Sequence, residues 1–304
     1  MISKAVLEAL QGIVTKDNVY LQAPMAKYTT FRVGGPADCL VEISNAQELQ
    51  QIIKYLKQVE IPYVVVGNGS NLLVGDKGYR GVVLLIGDAM SEIRVEDNCI
   101  VAQAGALMSR IARTALEHGL TGFEFASGIP GSIGGGVVMN AGAYGGELKQ
   151  VVTGVNVLNQ DGEELLLDNE TMEFGYRTSV IKHRDFVVTE VRICLTPGEP
   201  SDIKAQMDEL AAKRREKQPL EFPSAGSTFK RPEGHFAGEL IMNAGMRGFQ
   251  IGGARVADKH CGFVVNAGNA SATDVMQVIS EVQFQVKEQF GVELEPEVII
   301  LGEF

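Results

Sequence analysis

Val66-Gly-Asn-Gly-Ser-Asn71 and Gly128-Ile-Pro-Gly-Ser-Ile-Gly-Gly-Gly136 are two glycine-rich loops roughly sixty residues apart. Each follows an apolar stretch, and the second runs into Asn140-Ala-Gly-Ala-Tyr-Gly-Gly146. Glycine lets backbone N–H groups approach a ligand closely and turn in directions other residues do not take. Asn68, Ser70, Asn71 and Ser132 add side-chain donors. Two such loops on one chain imply a cradle for an extended, negatively charged molecule such as a dinucleotide. Neither contains Gly-x-Gly-x-x-Gly, so neither is a Rossmann fingerprint, and no Gly-Lys-Ser/Thr follows either, so neither is a Walker loop. The implied ligand is a nucleotide cofactor held in some other fold.

Outward from the first loop, Asp38–Ile43 reads as a strand. Ser44 and Gln47 have capping-box spacing and open a helix with Leu49, Ile52, Ile53 and Leu56 inward. Tyr63–Val66 then delivers the loop, completing a βαβ-like unit that places ligand loops at strand carboxyl ends. From Gly81 to Leu195 the pattern is mostly β. Val82–Ile86, Ile93–Val95 and Ile100–Ala104 are strand candidates, and a helix with Leu107, Ile111, Ala115 and Leu116 leads to the second loop. Val151–Leu158 and Glu164–Leu167 flank the hairpin signal Asp161-Gly162. Phe186–Leu195 alternates as a half-buried strand does. Thr196–Asp202, with two prolines and a glycine, reads as a linker, followed by a charged helix over Ile203–Lys217. The last helix has Ser271 and Asp274 as its cap, an inward stripe of Val275, Val278, Ile279, Val282 and Val286, and Gly291 as its stop.

At 304 residues two or three domains are the prior. The 35 glycines exceed the average usage of about 7% and are concentrated in loops. A formal charge of −11 argues against nucleic-acid binding, and an anionic ligand then requires locally placed Lys and Arg. Cys39, Cys99, Cys194 and Cys261 are scattered, which argues against a disulfide scaffold and against a zinc or iron–sulfur site. The four histidines are equally dispersed, so no metal site is expected. The N-terminus reads as an amphipathic helix with Ile2, Val6, Leu10 and Ile13 on one face, not as a signal peptide. No apolar run approaches the roughly 20 residues needed to span a bilayer. A soluble, cytosolic protein with no membrane, nucleic-acid or obligate protein partner is expected.

Three further stretches stand out: Gly175-Tyr-Arg-Thr-Ser179, Ser224-Ala-Gly-Ser-Thr-Phe-Lys-Arg-Pro232 and Glu295-Pro-Glu297. Taken singly, each has a simpler reading: a strand-edge ion pair, a solvated loop, a carboxylate at a strand end. Together with the glycine loops, the chain resembles the UDP-N-acetylenolpyruvoylglucosamine reductase family. The resemblance rests on Tyr28-Thr-Thr-Phe-Arg-Val-Gly-Gly35, Val66-Gly-Asn-Gly-Ser-Asn-Leu-Leu73, Gly128-Ile-Pro-Gly-Ser-Ile-Gly-Gly135, Asn140-Ala-Gly-Ala-Tyr-Gly145, Tyr176-Arg177 with Ser179, and Gly226-Ser-Thr-Phe-Lys230. These occur in order over nearly the whole chain.

The resemblance implies an α+β chain with an FAD-binding module of the vanillyl-alcohol-oxidase type. Its two subdomains would be residues 1–66, α/β, and 67–200, mainly β, followed by a C-terminal α+β substrate domain over 201–304. FAD would be held by Gly67, Asn68, Gly69, Ser70, Asn71, Leu72, Ala104, Gly105, Gly128, Ile129, Pro130, Ser132, Gly134, Gly135, Asn140, Gly142 and Ala143. Gly136, Gly145 and Gly146 equally suit turns. NADPH would reduce the flavin and leave, and UDP-N-acetylglucosamine enolpyruvate would then enter, becoming UDP-N-acetylmuramate for peptidoglycan synthesis. Hydride would pass from flavin N5 to the terminal carbon of the double bond. Negative charge growing on the neighbouring carbon and its carboxylate calls for a fixed donor, the role implied for Arg177. Glu297 would assist from a protonated state. Ser227 would give the proton to the carbanionic carbon. Glu295 falls on the same side of a strand as Glu297, and only the family match separates them. Tyr144, Lys217, Lys230, Arg231 and His260 would contact substrate, with Arg231 standing where the family often has asparagine.

The chain resembles the shorter form of the family, lacking an insertion that carries a tyrosine over the substrate. Two other readings stand beside this one: a different FAD oxidase or dehydrogenase of the same fold family, and a non-enzymatic nucleotide-binding protein.

Overall fold

The computed structural model describes residues 2–304, which form two compact units. The first comprises the described residues up to Leu21 together with Cys39–Asn68 and Gly81–Arg214. Its helix Lys4–Ile13 starts where the Ser3 hydroxyl accepts the Val6 N–H, and it buries Val6 and Leu10. Helix Ala46–Gln58 buries Leu49, Ile52, Ile53 and Leu56 as their spacing predicts. Its cap is one residue later than expected: Asn45 accepts the Glu48 N–H at 2.9 Å, and the Glu48 carboxylate accepts the Ser44 N–H at 2.9 Å. Asn45 and Glu48 satisfy two donors, as a capping box does, with the carboxylate reaching the residue before the cap.

Strands Pro36–Glu42 and Tyr63–Val66 are not neighbours. Val82–Leu85 lies between them, parallel to both, with Cys39 and Tyr63 each opposite Val82. Val19–Pro24 completes this four-stranded sheet. A second, five-stranded antiparallel sheet runs in the order Glu164–Asp168, Val152–Leu158, Val187–Cys194, Cys99–Gln103, Ile93–Glu96. Val187–Cys194 is therefore its central strand, and Val187, Val188 and Thr189 are buried in succession, where alternation had predicted one solvated face. The register places Cys194 opposite Cys99, and the two form a disulfide with Cα atoms 4.0 Å apart. The scattered spacing argues against a disulfide scaffold and gives no sign of this one pair: 95 residues of chain separate the two cysteines, and strand pairing removes that distance. Thr196–Asp202 is not a free linker either. Thr196 and Pro197 pair with Thr121 and Leu120, and helix Pro200–Lys217 begins inside the stretch.

The second unit comprises Gln22–Asp38, Gly69–Arg80 and Arg215–Phe304. Helix Ala272–Phe290 lays its buried stripe of Val275, Val278, Ile279, Val282 and Val286 over a small antiparallel sheet of Gln250–Ile251, Ala254–Val256 and Val264–Asn266. It starts in the expected Ser271–Asp274 capping box and ends at Gly291 with φ +68°. The strand Ile299–Leu301 pairs in parallel with Leu72–Val74, so the residues after the first glycine loop and the end of the chain build one ladder.

Asp76, just beyond that ladder, reaches the start of the long helix. Its carboxylate accepts the N–H groups of Ala272 and Thr273 at 2.8 and 2.9 Å and the Thr273 hydroxyl at 2.6 Å. Desolvation raises the Asp76 pKa, but the Thr273 hydroxyl and the two N–H groups outweigh it and hold the carboxyl below its usual range. A carboxylate depressed in the fold contributes stability above its unfolded pKa and loses it as pH falls through the folded value. Asp76→Ala is expected to cost about 1 kcal/mol at neutral pH. Urea unfolding followed from neutral into acidic pH should show variant and wild type converging through that window.

Candidate functional site

In the first unit the glycine loops meet. The Asn68 amide donates to the Pro130 carbonyl, and a Cβ on Gly67 would overlap Ser132 Oγ. Ser132 precedes the short helix Ile133–Val138, whose opening N–H groups bond inward: Ile133 to Ala106 O at 2.8 Å and Gly134 to Ala104 O at 2.9 Å. Gly134 is the position where backbone meets backbone. A Cβ there would stand 2.8 Å from Ala104 Cβ and 3.0 Å from Ala104 O, closer than van der Waals contact permits. Ala104 and Gly105 are buried beneath, with Gly105 against the carbonyls of Gly87 and Met90. Gly135 is exposed, and a Cβ there would have only Ser132 Oγ near it, at 3.8 Å. Gly128, Ile129 and Pro130 form the surface of the same loop. Gly136 and Gly146 are packing positions, since a Cβ would press on Met108 and Leu148 in one case and on the Phe125 ring in the other.

The third loop is built around Asn140, buried with φ +41°. Its amide nitrogen donates to Glu147 Oε2 at 3.1 Å and Gly175 O at 3.0 Å, while Oδ1 accepts the Lys149 N–H at 2.9 Å. The Asn140 side chain is thus engaged within the protein, and it ties this loop to the arginine-bearing turn. Gly142 and Ala143 pair with Glu147 and Gly146 across a turn with Tyr144 at φ +53° and Gly145 at φ +89°.

Arg177 sits at the tip of the neighbouring turn, where Gly175 and Thr178 pair and Arg177 itself takes φ +55°. Its Nη2 donates to Gly142 O at 3.2 Å, and its guanidinium carbon lies 5.3 Å from the Tyr176 ring centroid. The buried Ser179 hydroxyl donates to Val138 O at 3.0 Å and anchors the turn's far end. The guanidinium is therefore held on a backbone conformation that is costly for a side-chain-bearing residue.

Ser227, Lys230 and Glu297 belong to the second unit, as do Gly69, Ser70, Asn71 and Leu72. The Glu297 N–H donates to Thr228 O at 2.8 Å, Lys230 N–H to Glu295 O at 2.9 Å, and Phe229 pairs with Pro296. Asn71 adds a side-chain bond from Nδ2 to Glu297 O at 3.1 Å. Ser227 is exposed, next to the fully buried Thr228, whose hydroxyl accepts the Val264 N–H at 2.8 Å. Glu295 forms an ion pair with Lys230.

Arg231 and His260, also expected to contact substrate, have protein partners nearby. Arg231 stacks over Phe236, its guanidinium carbon 4.0 Å from the ring centroid, and donates to His235 O at 3.3 Å. His260 accepts the Gly262 N–H on Nδ1 at 3.1 Å and meets the Phe263 ring edge-on. Burial pushes its pKa down, favouring the neutral imidazole. Lys217 ends the helix Pro200–Lys217, exposed.

The described residues from 37 to 168 match the family model for an FAD binding domain, and residues 218–301 match the model for the UDP-N-acetylenolpyruvoylglucosamine reductase C-terminal domain. The chain is 49% identical to a protein of that name from Caldanaerobacter subterraneus subsp. tengcongensis, over 99% of this chain and all of the relative. It is 48% identical to one from Clostridioides difficile, over 97% of each. This chain belongs to the UDP-N-acetylenolpyruvoylglucosamine reductase family. The crystal structure of the Thermus caldophilus reductase matches it with a TM-score of 0.80 at 35% identity, over 93% of this chain and 98% of that one.

As a reductase of this family the chain uses FAD, and the loops of the first unit fit that group: Gly67 close against the Ser132 hydroxyl, close backbone packing at Gly134, an open face at Gly135, and a cation alongside. The cation is Arg214, which the sequence reading passed over. A Cβ on Gly128 would lie 3.2 Å from Arg214 Cδ and 2.5 Å from its Nη1. Burial lowers the Arg214 pKa, and the Tyr144 phenol nearby acts the other way. Nothing in the run Lys213-Arg-Arg-Glu-Lys217 distinguishes this arginine from its neighbours, so no sequence signal marks it. Gly134→Ala is expected to destabilise the reductase by about 1–3 kcal/mol through overpacking and to lower its flavin content. Thermal melts and the flavin-to-protein absorbance ratio would check both.

Proposed function

We propose that this chain reduces UDP-N-acetylglucosamine enolpyruvate to UDP-N-acetylmuramate with NADPH as reductant, a step of peptidoglycan precursor synthesis, and that Arg177, Ser227 and Glu297 carry it. Full-length kinship with the reductases supports the reaction. The observation favouring the residue assignment is the Glu297–Thr228 backbone bond, which ties the carboxylate's segment to that of the serine. When bound, FAD would supply the two-electron relay between NADPH and the enolpyruvyl group.

Each residue then has one task. Arg177, fixed by its turn and by Gly142, offers guanidinium N–H donors to the charge that grows on the substrate carboxylate. Ser227 gives its hydroxyl proton to the adjacent carbon, and Glu297 assists at the enolate oxygen. Lys217, Lys230, Arg231 and His260 with Tyr144 receive the sugar nucleotide. In this reading most cofactor contacts come from residues 1–66 and 67–200 and most substrate contacts from 201–304, while Arg214 lies beside the cofactor loops and Tyr144 and Arg177 face the substrate. The two nucleotide ligands are multiply charged and do not cross a bilayer unaided, which supports a cytoplasmic enzyme. It needs neither nucleic acid nor an obligate protein partner.

Anaerobic spectroscopy tests the whole scheme. Oxidised flavin bands should bleach with NADPH and return on adding the enolpyruvyl sugar; bands that return only with air would move the function to another acceptor. Arg177→Lys is expected to slow the sugar-dependent return by roughly 10²–10³-fold with FAD still bound. Ser227→Ala should allow bleaching but slow the return by at least about 10²-fold. Normal turnover of the serine variant would assign the proton to another donor.

A further inference from the structure

We propose that Thr30 is a positioning residue for the proton-transfer step, holding the Ser227 loop in place through its hydroxyl. The proposal rests on the functional reading above. Tyr28-Thr-Thr-Phe-Arg-Val-Gly-Gly35 has no role in the chemistry described so far, yet Thr30 touches two of the loops that do. Its N–H donates to Gly69 O at 3.2 Å, in the first glycine loop. Its Oγ1 donates to Ser224 O at 2.7 Å, three residues before Ser227.

The segment that offers these bonds is stiff. The Thr29 hydroxyl donates to Val33 O at 3.2 Å, the Arg32 N–H bonds Thr29 O at 3.2 Å with Arg32 at φ +56°, and Phe31 is fully buried. Phe31 O also accepts the Asn266 amide at 3.3 Å, and the Asn266 N–H donates to Pro223 O at 2.9 Å. The serine tip itself has little to hold it. Gly226 takes φ +76°, a Cβ there would touch nothing within 4 Å, and Ser227 is exposed. The tip's direction is therefore set at its two ends. Thr228 secures one end through its N–H to Gly262 O at 2.8 Å and its hydroxyl. Ser224 secures the other, through its pairing with Val265 and the Thr30 hydroxyl. A proton donor displaced by a fraction of an ångström loses rate steeply, so the hydroxyl of Thr30 acts on the chemistry without touching substrate.

The test compares the holoenzyme with Thr30→Val, which keeps the shape and removes the donor, and Thr30→Ser, which restores it. Thr30→Val should slow reoxidation of reduced flavin by the enolpyruvyl sugar about tenfold and leave flavin reduction by NADPH within about twofold. In hydrogen exchange, its Thr228 and Asn266 amides, bonded to Gly262 O and Pro223 O at the two ends of the tip, should exchange faster than in wild type. Thr30→Ser should recover both properties. Unchanged reoxidation and exchange in Thr30→Val would overturn the proposal. So would an equal fall in both half-reactions with a lowered melting temperature, or a Thr30→Ser as slow as Thr30→Val. If wild-type flavin bleaches with NADPH but the sugar never reoxidises it, the functional reading fails, while the exchange measurement still decides whether Thr30 orders the loop.

Discussion

The second unit depends on a parallel pairing of three residues with three: Leu72–Val74 with Ile299–Leu301. In a ladder, a slip of one residue turns every side chain to the opposite face. The Ile299 N–H to Asn71 O at 2.9 Å and the Gly75 N–H to Leu301 O at 2.9 Å set that register from both ends. Glu297 lies two residues before the ladder and inherits its placement. The entropy of closing so long a loop rises only logarithmically with length, so a few backbone bonds and the apolar cluster of Leu73, Val298 and the long helix suffice to hold it.

The first unit uses a different device. Its turns have few apolar side chains of their own and are secured by polar side chains: buried Asn140 bonds to the Glu147 carboxylate and to backbone at Gly175 and Lys149, buried Ser179 to Val138 O, and exposed Asn68 to Pro130 O. Such networks are stiff when every member is satisfied and costly when one is lost. Glycine serves here chiefly by what it omits, since at Gly67 and Gly134 a methyl group would push apart the loops that have to meet.

The parts legible in the sequence were those whose information is local. The inward stripes of helices Ala46–Gln58 and Ala272–Phe290, the latter's cap and stop, and the hairpin at Asp161-Gly162 all follow from spacing and residue type within one turn or strand. The glycine loops and their Asn and Ser neighbours were visible for the same reason. Partner choice was not. That Val82–Leu85 inserts between two earlier strands, that Cys99 faces Cys194, and that Arg214 lies against Gly128 are facts of register and docking between distant segments. Asn140 is the instructive case: its residue type drew attention, but only the structure shows its amide bonding to loops on either side.

Asn140, Tyr144 and Arg177 are three residues bearing side chains that all take left-handed backbone angles, within loops that bond to one another. Conformations of this kind cost on the order of 1 kcal/mol or more apiece, and the surrounding bonds must supply it. The folded chain carries that cost before any ligand arrives. Association then has little left to order: the entropy ordinarily lost when loops close on a ligand has already been surrendered during folding. Binding at these turns should resemble the docking of rigid bodies, with heat and entropy changes arising from desolvation and contact and not from rearrangement of the protein.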